Sequence, residues 1–219
     1  MNYLLWQLAD SGFPAGGFAH SGGLEAAMQH GRVADGIGLR MLARHALVQT
    51  GRSGLPLVTA VHRQPHLLAE LDRLSDAFLS QPVANRASCA QGRAWLASAS
   101  RSFPDAGIET LEEEARRDGL AGHYAPVFGA VTARLHIDLR DAQSLFLYLA
   151  ARGLGSAAVR LGLIGAYEAQ EIQTWLSGEI DPIIERCADL GPLDIAHTAP
   201  LLDLFQSMHD RLYSRLFQS

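Results

Sequence analysis

The chain has no lysine: all 18 of its basic residues are arginine. That absence excludes the G-x-x-x-x-G-K-[ST] phosphate-binding loop, whose lysine reaches the β- and γ-phosphates, so the chain carries no P-loop nucleotide hydrolase of its own. Cysteine is scarce too. Cys89 and Cys187 lie far apart and in no C-x-x-C context, which argues against a disulfide framework or a zinc module and for two buried thiols in a reducing compartment. No uncharged apolar run nears the roughly 20 residues that span a bilayer. The N-terminus, Met-Asn-Tyr-Leu-Leu-Trp-Gln-Leu-Ala-Asp, lacks a basic n-region and meets Asp10 too early for a signal peptide. A cytoplasmic protein without a membrane partner is expected. Basic runs are missing as well, and 23 acidic residues against 18 basic give a net charge of −5, so no nucleic-acid partner is expected.

What is present reads as globular. Apolar residues make up 48% and charged residues 19% of 219 positions, enough for one substantial core and one domain spanning residues 1–219. The heavy use of arginine suits bidentate pairing at protein interfaces, and genomic base composition explains it equally well.

The periodicity is helical nearly throughout. Leu67, Leu71, Leu74 and Phe78 form one apolar stripe, with Glu70, Asp72, Arg73 and Asp76 mostly off it. Asp35 caps a helix expected to run to about Thr50; Pro56, Pro65, Pro82 and Pro126 mark helix starts. Thr110 with Glu113 spells a capping box, followed by i, i+4 pairs from Glu112 to Arg116 and from Glu113 to Arg117. Asp141 is expected to cap a long apolar helix. Residues 153–166 are small enough for close helix packing, and a break is expected near Asp181-Pro182. No convincing alternating strand occurs. The expected fold class is all-α: a single-domain helical bundle of about ten helices with a glycine-rich N-terminal loop.

That loop, residues 12–25, holds five glycines, a proline and two phenylalanines. It is too glycine-rich for a helix interior and too apolar for a floppy linker. Phe13 and Phe18 are expected to pin it to the core. Ala19-His20-Ser21-Gly22-Gly23 fits a relaxed A-x-S-x-G nucleophile elbow, so a serine hydrolase using Ser21 is the alternative reading; the elbow needs a strand before the serine, and none precedes it. Gly153-Leu-Gly155-Ser-Ala-Ala158 fits G-x-G-x-x-A, but helical residues lie upstream where a dinucleotide site needs a strand. Among nine histidines, His62 and His66 stand at i, i+4, with Pro65 between them breaking the helix a metal pair would need. At the other end, residues 209–219 carry arginine and aromatic anchors of the kind found where one protein buries another, and docking on self or on a partner is expected. Arg160 is either a structural ion pair, with Glu168 or Glu171, or a partner contact.

Together the two ends carry a resemblance. Leu8 to Glu25, with Phe-Pro-Ala-Gly-Gly-Phe-Ala-His-Ser-Gly-Gly-Leu-Glu, resembles the N-terminal signature of the urease accessory protein UreF family. Arg86-Ala-Ser-Cys-Ala-Gln-Gly-Arg93 and Ala157-Ala-Val-Arg160-Leu-Gly-Leu-Ile-Gly165 are similar to mid-chain segments of that family. Met208-His209-Asp210 through Tyr213-Ser-Arg215-Leu-Phe-Gln-Ser219 resembles its ending. Phe13 stands where leucine is usual, Leu163-Ile164 lacks the usual proline, and Asp210 replaces a glutamate. The resemblance implies an all-α homodimer that binds a UreD/UreH-type accessory protein, recruits a UreG-type GTPase and serves apo-urease. It implies no enzyme activity and no directly bound cofactor, nickel and GTP being handled by partner proteins. The partner-binding residues it implies are Gly16, Gly17, Phe18, Ser21, Glu25, Arg160, His209, Arg211, Tyr213, Arg215, Leu216 and Phe217, with no catalytic residue and no metal ligand.

Overall fold

The computed structural model describes residues 3–219; Met1 and Asn2, which begin the apolar N-terminal stretch, lie outside it. Its elements are α1 (Tyr3–Ala9), α2 (Leu24–Gln29), α3 (Gly36–Arg63), α4 (Leu68–Phe78), α5 (Pro82–Ser102), α6 (Ile108–Arg117), α7 (Tyr124–Arg134), α8 (Leu139–Arg160), α9 (Ala166–Cys187) and α10 (Pro200–Met208), with short 3-10 turns between them. No strand occurs among the described residues. The fold is all-α, as the periodicity predicts. None of these helices is long and apolar enough to cross a membrane.

The longest helix, α3, is the axle, packed against α7, α8 and α9. Leu39, Ala43, Leu47, Leu55, Val58 and Val61 recur every three or four residues or multiples of that spacing, and all are buried. Asp35 caps this helix, its Oδ1 accepting from Gly38 N at 2.8 Å. The helix does not stop near Thr50. It continues through Gly51, Gly54 and Pro56 to Arg63, so Pro56 is interior and not a start. An interior proline costs about 3 kcal/mol. Burying Leu55, Leu57, Val58 and Val61 at about 1.5–3 kcal/mol each outweighs it. The expected break at Asp181-Pro182 is absent for the same reason. Ile183, Ile184 and Cys187 beyond the proline are buried, and their burial carries the helix through it.

Two expected caps also differ. Thr110 lies inside α6, where its hydroxyl donates back to the Gly107 carbonyl at 2.7 Å, so the capping box does not form. Arg116 pairs with Glu112 as predicted, whereas Arg117 turns to Asp118 and not Glu113. Asp138, not Asp141, sits at the N-cap of α8. The closest helix contacts lie away from residues 153–166. A methyl at Gly54 would stand 2.6 Å from the Phe146 ring, and one at Gly129 would stand 2.6 Å from the Val58 carbonyl oxygen, whereas one at Gly153 would meet open space.

Trp95 on α5 centres an aromatic cluster. Its ring lies 4.9 Å from Phe128 of α7 and 5.2 Å from Phe13 of the N-terminal loop. Through Phe13 the loop is anchored to the core, as expected. Phe18 is not an anchor: it is 69% exposed. A second fixture comes from α4. Asp72 is buried, not solvated, and its carboxylate accepts from the backbone N–H groups of Ala121, Gly122 and His123 at 2.7, 3.0 and 2.7 Å. Those residues form the turn that leads into α7, so a carboxylate from one helix satisfies the backbone donors of the turn before another and sits near the positive end of its dipole.

Candidate functional site: the loop and tail clamp

The glycine-rich loop folds against α5. Gly16, Gly22 and Gly23 have φ of 76°, 60° and 90°, the left-handed region that favours glycine. Space is also short there: a methyl at Gly16 would come 2.8 Å from Ala94 Cβ. These torsions turn the chain through the 3-10 turn Gly17–Ala19 and into α2, which brings Ser21 and Glu25 under the surface.

The tail comes back onto this loop. After α10 and the 3-10 turn His209–Arg211, residues 212–219 run beside it. Gln218 N donates to the Ala19 carbonyl at 2.9 Å, and Ser21 N donates to the Ser219 carbonyl at 2.6 Å. The Ser21 hydroxyl donates to that same carbonyl at 3.1 Å, and His20 Nδ1 is hydrogen-bonded to the Ser219 hydroxyl. Glu25 is the buried acceptor: Leu216 N donates to Oε1 at 2.6 Å and Phe217 N to Oε2 at 3.2 Å. His209, fully buried, donates from Nε2 to the Phe217 carbonyl at 3.1 Å and turns Nδ1 toward Glu25 at 3.9 Å. Arg160 closes the clamp, its guanidinium lying 3.7 Å from the Phe18 ring centroid and 4.3 Å from that of Phe217. It also donates to the Phe18 carbonyl. Asp210 ties the tail to α5 by accepting from Arg86 at 2.7 Å and from Arg215 at 3.4 Å, and these arginines hold its carboxyl below the ordinary carboxylate range, Arg86 most strongly.

The profile of the UreF family matches residues 33–177. The rice protein "Urease accessory protein F" (Oryza sativa subsp. indica) is 36% identical over 97% of this chain and 83% of its own length. The Arabidopsis thaliana protein of the same name is 34% identical over the whole chain and 93% of its own length. "Urease accessory protein UreF" of Trichodesmium erythraeum is 30% identical over 97% and 94%. The chain belongs to the urease accessory protein UreF family. The matched profile leaves out the loop and the tail, so the likeness of these two ends rests on the full-length relatives.

The clamp of this UreF-family chain brings together the residues singled out in the sequence, in three groups. Ser21, Glu25, His209 and Phe217 are buried inside the chain and hold it shut. Gly16 and Gly17 of the loop, and Arg160 of α8, are partly buried. Phe18, Arg211, Tyr213, Arg215 and Leu216 face outward, Tyr213 fully. Arg160 pairs with neither Glu168 nor Glu171; Glu171 faces Arg40 at 3.9 Å. The nucleophile elbow is not formed, because no strand leads into Ser21 and its hydroxyl is buried and committed to Ser219. The G-x-G-x-x-A segment lies within α8. His62 donates from Nε2 to the Ile137 carbonyl at 2.7 Å, and no group of three or more metal-ligating side chains that could hold an ion occurs among the described residues. Sequence reasoning passed over Asp72, whose neighbour Leu71 marks the apolar stripe, and over Gln49, which straps the segment before α10 by accepting from Thr198 N and Ala199 N.

Two outcomes follow from the clamp's geometry. Arg160→Met keeps the apolar stem but loses both ring contacts and the carbonyl bond. Because Phe18 is exposed, its contact sits at the low end of the range, and a total loss of about 1–2 kcal/mol in urea unfolding is expected. Arg160→Lys restores the charge but not the flat stacking, and recovers only part. His20 titrates below its ordinary value of 6.5, because burial disfavours the imidazolium and His209 adds to that. The unfolded chain therefore binds more protons once pH drops past 6.5, so this contribution is intact above 6.5 and declines below it. Amide protection at Ser21 and Gln218 should fall as pH drops below 6.5, and His20→Gln should flatten the decline.

Proposed function

We propose that this chain is a urease-maturation adaptor, not an enzyme, that bridges a UreD/UreH-type accessory protein and a UreG-type GTPase so that nickel enters apo-urease. Family membership supports the urease context. The absence of lysine supports a division of labour: with no P-loop of its own, the chain must obtain GTP hydrolysis from another subunit. Nickel and GTP are cargo and fuel carried by the partners, and the adaptor itself holds neither. The observation that carries the reading is the assembled outer face of the clamp, where Phe18, Arg211, Tyr213, Arg215 and Leu216 stand exposed on a buried frame of Ser21, Glu25, His209 and Phe217. Exposed aromatic and arginine anchors on a rigid support are the composition of a protein-binding hot spot. The frame residues, with Gly16, Gly17 and Arg160, act by holding the anchors in place. The two free, buried cysteines fit a cytoplasmic setting, and the adaptor works as a homodimer.

The sequence points to tail side chains buried on a partner. Instead this chain itself buries Phe217, and Tyr213 and Leu216 remain available. Truncation after Met208 is therefore expected to abolish capture of the UreD/UreH-type partner in a pull-down. Undiminished capture by the truncated chain would overturn the assignment of the tail. Light scattering of the intact chain should return the mass of a dimer.

A further inference from the structure

A depression of about 480 Å³ opens beside the clamp, lined by His20, Arg86, Cys89, Ala90, Arg93 and Gln218 among others. Arg86, Ala90 and Arg93 are all exposed. They stand at i, i+4 and i+7 of α5, so they share one stripe of that helix. A rise of 1.5 Å per residue sets the two arginines roughly 10.5 Å apart along the axis, with only a methyl group between them. Arg86 is shared with Asp210; Arg93 makes no hydrogen bond or ion pair among the described residues. Arg211 and Arg215, both exposed, add to the same end of the molecule, and Asp210 is the one acid paired there. Asp76, an exposed acid of α4, is engaged by Asn85 and His123. A positive face has thus been concentrated on a chain whose net charge is −5.

We propose that this stripe is a docking site for an acidic helical segment of a partner protein, one that presents two carboxylates seven residues apart. The proposal rests on the adaptor reading for its partner being a protein. Charge complementarity selects the segment: a local positive face draws in acid, while the net negative charge of the remainder disfavours a long polyanion. The spacing selects its form, since carboxylates at i and i+7 of a helix are also about 10.5 Å apart and meet both guanidinium forks. Ala90 leaves room for a close backbone approach.

The test is fluorescence anisotropy on the full chain. The probes are a labelled alanine–leucine helical peptide with two glutamates seven residues apart and its twin with glutamines. The glutamate peptide is expected to bind about tenfold more tightly, with a preference that weakens as salt rises. Arg93→Glu, which removes no hydrogen bond or ion pair among the described residues, should erase the preference, and Arg93→Lys should keep part of it. Equal binding of the two peptides, a preference that survives Arg93→Glu, or displacement by inorganic phosphate at constant ionic strength would each overturn the proposal. Capture of the UreD/UreH-type partner reports on the adaptor reading separately, so intact capture with no peptide preference would sink the stripe alone.

Discussion

Glu25→Gln is expected to release the C-terminal tail at a cost of about 2–4 kcal/mol. The carboxylate accepts two backbone amides, Leu216 N at 2.6 Å and Phe217 N at 3.2 Å, in a site where Glu25 is only 3% exposed. Glutamine has nearly the same shape but one acceptor oxygen. Its NH2 group would point at a donor, leaving one buried amide unsatisfied and the other without charge assistance. The loss falls on a local unit, so the tail should detach before the bundle unfolds. Hydrogen exchange should show Leu216 and Phe217 unprotected while α3 and α7 keep their protection, and protease should nick residues 212–219. Protection of the two amides at the wild-type level would contradict the role given to Glu25.

Asp72→Ala is expected to destabilise the whole bundle, by on the order of 4 kcal/mol, in urea unfolding. Three backbone donors, on Ala121, Gly122 and His123, lose their one shared acceptor. All three donors sit where α7 begins, and α7 packs on α3, α4 and α5. The same turn approaches α5 closely: a methyl on Gly92 would stand 2.1 Å from the Gly122 carbonyl oxygen. A loop held this tightly has no room to shift and find water. A net stability of about 5–15 kcal/mol makes such a loss a large fraction of the total. Asp72→Asn, which keeps one acceptor oxygen, should recover part of it. A change below about 1 kcal/mol for Asp72→Ala would show that water replaces the carboxylate easily.

The contrast between these two acids shows what the chain discloses by itself. Helix content is legible because apolar stripes such as Leu67, Leu71 and Leu74 repeat within a few residues. Helix ends are less so. Pro56 and Pro182 obey a local rule that burial across α3 and α9 overrides, and Thr110 turns its hydroxyl back to its own helix. Both halves of the clamp are visible as motifs, yet their union is not. Glu25 and Leu216 are separated by 191 positions, and nothing local in either segment names the other. Asp72 reads as an ordinary solvated residue because its three partners are about fifty positions away. Arg160 is harder still, since its partners are two aromatic rings and not the acids that its charge leads one to seek.

In this account catalysis lies with the partners and geometry with this chain. A short glycine loop, anchored to the core through Phe13, and a short tail are joined through buried donors and acceptors. The exposed anchors on that frame are then presented with little ordering cost on binding, which favours affinity. The most direct measurement is apo-urease activation in a mixture of purified UreD/UreH-type protein, UreG-type GTPase, nickel and GTP, with and without this chain. The adaptor account predicts activation that requires the chain and is largely lost with Glu25→Gln, at an unchanged GTPase rate for the isolated GTPase. Activation to the same level in the absence of the chain would contradict it.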